Sequence, residues 1–261
     1  MPGEDILGQK PPDADYRLSY GQDPNQFIDV HAPAKRGRGA FPAFFFIHGG
    51  YWRAKYGLGY AGHLCHALKQ KGICCWNVEY RRVGNPGGGW PGTFEDIRSA
   101  FRLLLAHSDT SLEHPDLKRL CVAGHSAGGQ LALSLAAHEP GIKHVLSLAG
   151  VLDLHRAWEL HLSNDAVVEF LGGTPLQVPE HYREASPAER AIPQTIQKLV
   201  HGTADRDVPY EISKSYADRK KQAGEDVELI TLPETGHFEI VDPGSSVWPK
   251  IEQLVLALTS S

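Results

Sequence analysis

The most specific chemical signal in the chain is Gly124-His125-Ser126-Ala127-Gly128, a G-x-S-x-G pattern lying between a strand-like run at 120–123 and a helix-like run at 129–138. A strand that turns directly into a helix forces its central residue into a strained conformation, so the neighbours must be small. Gly124, Ala127, Gly128 and Gly129 meet that need. The serine hydroxyl then stands above a sheet at a helix N-terminus, whose dipole favours developing negative charge. Such a hydroxyl is a weak nucleophile until a base takes its proton and a third group holds that base in the right tautomer. His237, in Glu234-Thr235-Gly236-His237-Phe238, follows the last strand-like run and is the candidate base. Asp205 follows the run before it, and the chain order Ser126, Asp205, His237 suits the strand-turn-helix reading. Asp153 and Asp207 compete for the acid role. Asp205 is preferred because its offset from the strand end allows a short buried reach to the imidazole, whereas Asp207 reads as a turn or cap residue before Val208-Pro209.

Acyl transfer also needs donors for the tetrahedral oxyanion, each worth about 3–4 kcal/mol in another serine hydrolase. His48-Gly49-Gly50-Tyr51-Trp52 ends the first buried strand, and the amides of Gly49, Gly50 and Tyr51, joined by that of Ala127, are the candidates. Trp52, Trp90, His125 and Trp158, with Tyr51 and Phe170, are candidate pocket residues, which points to a small substrate with an aromatic or apolar part. The same aromatics read equally well as core.

These residues need a scaffold. Short apolar runs alternate with helix-period segments from about residue 43, the signature of βαβ units and a mostly parallel sheet. Strands are predicted at 43–48, 73–79, 119–123, 144–149, 198–201 and 227–232. A helix at 93–107 aligns Phe94, Ile97, Phe101, Leu104 and Leu105, and one near the C-terminus aligns Val247, Ile251, Leu254, Val255 and Leu258. Residues 16–20 and 26–31 read as an antiparallel pair joined by Gly-Gln-Asp-Pro-Asn, closed by Pro and Gly punctuation over 32–39 and extending the sheet at one edge. With no linker or repeat, residues 1–261 form a single domain in which 152–193, too long for an ordinary connection, serve as a lid or substrate wall.

Composition narrows the partners. Lys and Arg total 26 against 31 Asp and Glu, a formal charge of -5, and no basic run would neutralise a row of phosphates, so nucleic acid is not expected. No apolar stretch approaches the roughly 20 residues of a membrane span, and the polar, acidic start carries no secretory pattern, so no membrane partner and a cytoplasmic address are expected. The partner is a small-molecule substrate, and the sequence leaves room for a homodimer. Cys65, Cys74, Cys75 and Cys121 lack zinc spacing and read as reduced, buried thiols, with Cys74 and Cys75 on opposite strand faces. The Gly-rich loop at 84–92 lacks both phosphate-binding fingerprints and reads as a mobile wall carrying Trp90. His63 and His66 share a helix face without an H-E-x-x-H pattern, so no metal and no cofactor are expected.

With these pieces in order, the chain resembles the HGG-loop esterase and lipase branch of the α/β-hydrolase superfamily. Within it, His48-Gly49-Gly50-Tyr51-Trp52, Glu79-Tyr80-Arg81, the GHSAGG at 124–129 and the stretch at 20–33 are similar to the HGG-x-W kynurenine formamidase (arylformamidase) subgroup. It departs in its longer Gly-rich loop, while Tyr51 replaces the third glycine of hormone-sensitive-lipase-like esterases. The resemblance implies an α/β-hydrolase fold, a mostly parallel sheet flanked by helices with an N-terminal antiparallel pair and a cap insertion. It also implies a serine hydrolase cleaving an aryl formamide such as N-formylkynurenine or a small carboxyl ester. The alternatives are a general short-chain carboxylesterase and a non-catalytic binding protein, and the latter would lack a triad member.

Overall fold

A computed structural model of the protein describes residues 4–33, 40–107 and 115–260. Eight strands form one sheet: β1 (Tyr16–Ser19), β2 (Phe27–His31), β3 (Phe41–Ile47), β4 (Cys74–Val78), β5 (Pro115–His125), β6 (His144–Leu148), β7 (Ile196–Gly202) and β8 (Val227–Leu232). Their spatial order is β1-β2-β4-β3-β5-β6-β7-β8. β2 pairs antiparallel with both β1 and β4, and every pairing from β4 through β8 is parallel. The expected hairpin is thus the edge of the sheet. The Pro and Gly punctuation expected at 32–39 lies largely outside the described residues.

Strand alternation divides the core in two. On β3, Phe44 and Phe46 point into one layer, while Ala43, Phe45 and Ile47 point into the other. Cys74 and Cys75 part in the same way, and all four cysteines are buried and in no disulfide. One layer is covered by α1 (Ala61–Lys69) and α8 (Trp248–Leu258) through Leu64, Leu68, Ile251 and Val255. The other is covered by α2 (Gly92–His107), α3 (Ala127–His138) and α7 (Tyr210–Gln222) through Ile97, Phe101, Leu131 and Tyr216. Each such side chain contributes about 1.5–3 kcal/mol by leaving water. Three expected stripe residues stand apart from this pattern: Leu105 is 37% exposed, and Val247 and Leu254 are only half-buried. β5 is longer than the predicted 119–123 because Pro115 and the polar Asp116 still pair with Phe41 and Pro42, ahead of a register shift at Pro42/Ala43 that leaves residues 117–119 out of the pairing.

Residues 152–193 fold into α4 (Leu154–Glu159), α5 (Ala166–Leu171) and α6 (Pro179–Ala185), followed by a short 3-10 turn. They are anchored rather than draped: Leu154, Ala157, Val167, Phe170, Tyr182 and Ala185 are buried in the same layer as α2 and α3. No helix among the described residues is long and apolar enough to cross a membrane.

Candidate active site

Ser126 sits where β5 meets α3, with φ 57° and ψ -122°, a backbone conformation that L-residues rarely adopt. Strain of this kind costs on the order of 1–3 kcal/mol and persists only where the surroundings over-determine it. Here they do. The Ser126 amide donates to the Leu148 carbonyl at 2.8 Å, binding the turn to the end of β6. A Cβ on Gly124 would meet the Gly128 carbonyl oxygen at 2.0 Å, and one on Gly128 would meet the Ile47 carbonyl oxygen at 2.0 Å. The glycines around the serine are therefore close approaches of backbone to backbone, as the G-x-S-x-G reading requires.

His237 and Asp205 come from the loops after β8 and β7. His237 Nδ1 donates to Asp205 Oδ2 at 2.7 Å, which leaves Nε2 as the free ring nitrogen. Ser126 and His237 line one cavity. Asp205 Oδ1 accepts the amides of Asp207 and Val208, both at 2.9 Å, so every face of the carboxylate is engaged. Burial alone would raise its pKa. Hydrogen bonds from His201 and His237 overcome that and hold Asp205 well below the usual carboxylate range. His201 Nε2 lies 3.2 Å from Asp205 Oδ2 and 2.9 Å from the Val208 carbonyl, which can only accept, so Nε2 carries the proton and Nδ1 accepts from Ser213 at 2.7 Å. Sequence reasoning missed His201. Its signal was a histidine at the end of a buried strand, four residues before the acid.

The rivals for the acid have other work. Asp153 caps α4 by accepting the Arg156 amide at 3.0 Å and pairs with Arg219 at 2.7 Å. Asp207 is exposed; its carboxylate lies within 4.8 Å of Asp205 and His237 ligand atoms, while its own carbonyl accepts from the Tyr51 hydroxyl.

The loop after β3 carries a run of positive φ angles, at Gly50 (112°), Tyr51 (50°) and Trp52 (55°). Of the expected oxyanion donors, Gly49 is overturned: its amide donates to the Tyr60 hydroxyl at 2.7 Å and is spent. Gly50 and Tyr51 face the cavity with Ser126, and Ala127 opens α3 directly after it. The loop is held from below by a buried charge cluster. His48 Nε2 lies 2.8 Å and Arg82 Nη1 3.1 Å from Glu79 Oε1, Leu58 donates its amide to Oε2 at 3.1 Å, and His48 stacks on Tyr80. Burial would raise the Glu79 pKa, but His48 and then Arg82 lower it overall.

The cavity over Ser126 has a volume of about 580 Å³. Its walls come from Tyr51, Tyr56, Tyr60, Phe238 and Leu7, with Lys55 and Asp207 adding charge. The three tryptophans expected there are elsewhere. Trp52 is fully buried, stacked on Phe170 at 4.4 Å, with Nε1 donating to Gln130 at 3.0 Å. Its left-handed backbone turns the ring into the core, where a partner for the indole N–H exists. Trp90 stacks on Phe94, and its amide donates to the Phe170 carbonyl at 2.7 Å, so the Gly-rich loop is tied to α5 rather than forming a wall of the cavity. Trp158 packs half-buried against the core. Residues 152–193 supply none of the cavity's lining, so the expected substrate wall is replaced by residues 50–60 and the N-terminal 3-10 turn at Glu4–Leu7. His125 does reach the cavity, but both ring nitrogens are engaged. Tyr56, Tyr60 and Leu7 escaped the sequence reading because a loop or a single 3-10 turn is too short to carry a periodicity that says which way its residues face.

The chain is similar to known proteins throughout. Esterase LipC of Mycobacterium tuberculosis is 29% identical over 93% of this chain, which spans 64% of that relative's length. A truncated carbohydrate esterase from gut microbiota superposes with a TM-score of 0.80 at 18% identity, covering 97% of this chain and 100% of that one. The propionate-bound esterase 2 of Thermogutta terrifontis superposes with a TM-score of 0.72 at 21% identity, covering 98% of both chains. These structures share the α/β-hydrolase fold. The BD-FAE family model matches residues 28–219, from β2 through α7, a span that holds the loop after β3, the Ser126 turn and Asp205, and the chain belongs to the BD-FAE family.

Proposed function

We propose that the protein is a serine hydrolase of carboxylesterase type acting on small esters with an aromatic or apolar part. The observation that carries this reading is a strained Ser126 facing the same cavity as a histidine whose Nδ1 is held by a buried, ionised aspartate. In the reaction, Ser126 Oγ attacks the ester carbonyl carbon while His237 Nε2 takes the hydroxyl proton. Asp205 stabilises the resulting imidazolium without accepting its proton. The amides of Gly50, Tyr51 and Ala127 receive the oxyanion. His237 then returns the proton to the departing alcohol oxygen as the ester C–O bond breaks. Water, deprotonated by the same histidine, attacks the acyl-serine and releases the acid, with Ser126 regaining its proton.

Relatives named as esterases support the chemistry, and the tyrosine-lined cavity supports the aromatic or apolar preference. Aryl formamide hydrolysis is a second reading. It is favoured by the His48-Gly49-Gly50-Tyr51-Trp52 resemblance and by a cavity walled by Tyr51, Tyr56, Tyr60 and Phe238. Kinetics on p-nitrophenyl acetate, p-nitrophenyl butyrate and N-formylkynurenine, run side by side, separate the two. Ester turnover is expected, together with labelling by a fluorophosphonate probe, and Ser126→Ala should abolish the label and lower kcat by roughly a millionfold, as in another serine hydrolase. An unlabelled wild-type protein that cleaves neither class sinks the hydrolase reading. Brisk formamide cleavage beside negligible ester cleavage promotes the second reading over the first.

A further inference from the structure

Tyr60 and His125 are buried polar residues at the site that the mechanism does not use. The Gly49 amide donates to Tyr60 Oη at 2.7 Å, Tyr60 Oη lies 2.8 Å from His125 Nδ1, and His125 Nε2 lies 3.1 Å from the His237 carbonyl oxygen. The two ends of this chain are backbone groups of fixed character, and they set its direction. A carbonyl can only accept, so His125 Nε2 carries a proton. Burial, and then the neighbouring His237, push the His125 pKa well below its ordinary value, so the ring is neutral and Nδ1 is bare. An amide can only donate, so Tyr60 Oη receives from Gly49 and gives its single proton to Nδ1. Every donor and acceptor in the chain is used once, and no alternative arrangement satisfies all four groups.

The chain joins the three segments that must act together. Gly49 precedes Gly50 and Tyr51, His125 precedes Ser126, and the accepting carbonyl belongs to His237 itself. There is little slack between them: a Cβ on Gly49 would meet both the His125 carbonyl oxygen and Ser126 Cβ at 2.8 Å. Tyr60 and His125 also pack edge to face at 5.6 Å, and Phe238 closes over both rings. Resting on the serine-hydrolase reading above, we propose that Tyr60 and His125 are positioning residues, a one-directional relay that holds the oxyanion loop, the nucleophile and the backbone of the base in a single register. Tyr60 lines the cavity, yet its proton is committed to His125, so it is not a direct donor to the oxyanion.

The test combines kinetics with a spectroscopic readout of the chain's direction. Tyr60→Phe and His125→Phe, assayed on p-nitrophenyl butyrate, should each lower kcat about 10- to 100-fold while KM stays within about threefold, because misplacement of the donors is felt in the transition state. The double variant should fall no more than about threefold below the worse single variant, since either change breaks the same chain. A full loss in Tyr60→Phe beside unaltered kcat in His125→Phe means that Tyr60 acts directly on the oxyanion, and it overturns the relay. So do additive losses. In wild-type protein carrying ¹⁵N- and ¹³C-labels, long-range ¹⁵N–¹H correlation at neutral pH should show His125, assigned through its own backbone resonances, as the neutral Nε2–H tautomer. An Nδ1–H tautomer or an imidazolium there overturns the proposal even if the variants fail to fold. A wild-type protein that turns over no ester, yet shows the expected tautomer, counts against the hydrolase reading and not against the hydrogen-bond chain.

Discussion

Residues 50–60 and residues 152–193 are both long excursions from the sheet, and both carry aromatic side chains, but they do opposite things. The first places Tyr51, Tyr56 and Tyr60 on the cavity over Ser126. The second sends Phe170 and Tyr182 into the core and contributes nothing to that cavity. The difference lies in what the backbone permits and where the polar atoms find partners. Tyr51 and Tyr60 can face a cavity because their hydroxyls reach Asp207, Gly49 and His125. Trp52, next to Tyr51, turns inward because Gln130 awaits its indole N–H and Phe170 its face. Aromatic content therefore does not mark a substrate wall. The position of a hydroxyl partner at the cavity edge does.

If this division is right, the two regions separate stability from kinetics. Phe170→Ala, which removes the platform under Trp52, should cost about 3–5 kcal/mol in a denaturant titration while leaving kcat/KM of the folded fraction within about twofold. A kinetic collapse without loss of stability would erase the distinction. Acid should destabilise the fold through its buried histidines while the triad carboxylate keeps its charge. His31 on β2 is buried with Nδ1 unpartnered, and burial, only partly countered by Asp15, pushes its pKa down to about 4. The unfolded chain protonates this histidine near 6.5, so between pH 6.5 and 4 the unfolded state binds the extra proton and stability falls as pH falls. About 3 kcal/mol is lost across that window, while Asp205 stays ionised. Unfolding free energies measured at pH 7 and pH 4 should show this slope, and His31→Gln should remove about 3 kcal/mol of the loss, the remainder belonging to His125 and His144, which burial also holds below their ordinary value; an unchanged slope assigns the acid sensitivity elsewhere. The smallest expected effect belongs to the cavity rim. Tyr56→Ala should raise KM for aromatic esters about two- to tenfold, with stability moving by less than about 0.5 kcal/mol. Equal changes for aromatic and short aliphatic esters would show that the ring is not a specificity wall.

The fold was legible in the sequence because its carriers are periodic. Phe41–Ile47 and Cys74–Val78 announce buried parallel strands by apolar runs that only Asn77 interrupts, and the helices announce themselves by stripes. The positions of Ser126, Asp205 and His237 were legible for a related reason, since each follows a recognisable strand and open α/β sheets gather chemistry at those ends. What failed was direction within loops. Trp52, Trp90 and Trp158 looked like pocket residues, and only the positive φ at Trp52 and the carbonyl of Phe170 that anchors Trp90 determine otherwise. Gly49 looked like a donor, and only the arrival of Tyr60 from eleven residues away takes its amide. His201 and Glu79 were invisible as partners because buried polar pairs leave no periodic trace.

The glycines of the Ser126 turn have a consequence for how such a protein changes over generations. A Cβ on Gly124 or Gly128 would meet a backbone oxygen at 2.0 Å, so no side chain of any kind can be introduced at either position without moving the sheet itself. Leu7, by contrast, is 49% exposed at the cavity, and Tyr56 is exposed beside it. Laboratory evolution of this chain thus meets a frozen centre inside a permissive margin. On the proposed ester hydrolysis, libraries at 7, 55 and 56 should retune which alcohol or acyl group is accepted, whereas the turn that holds Ser126 offers selection nothing to explore.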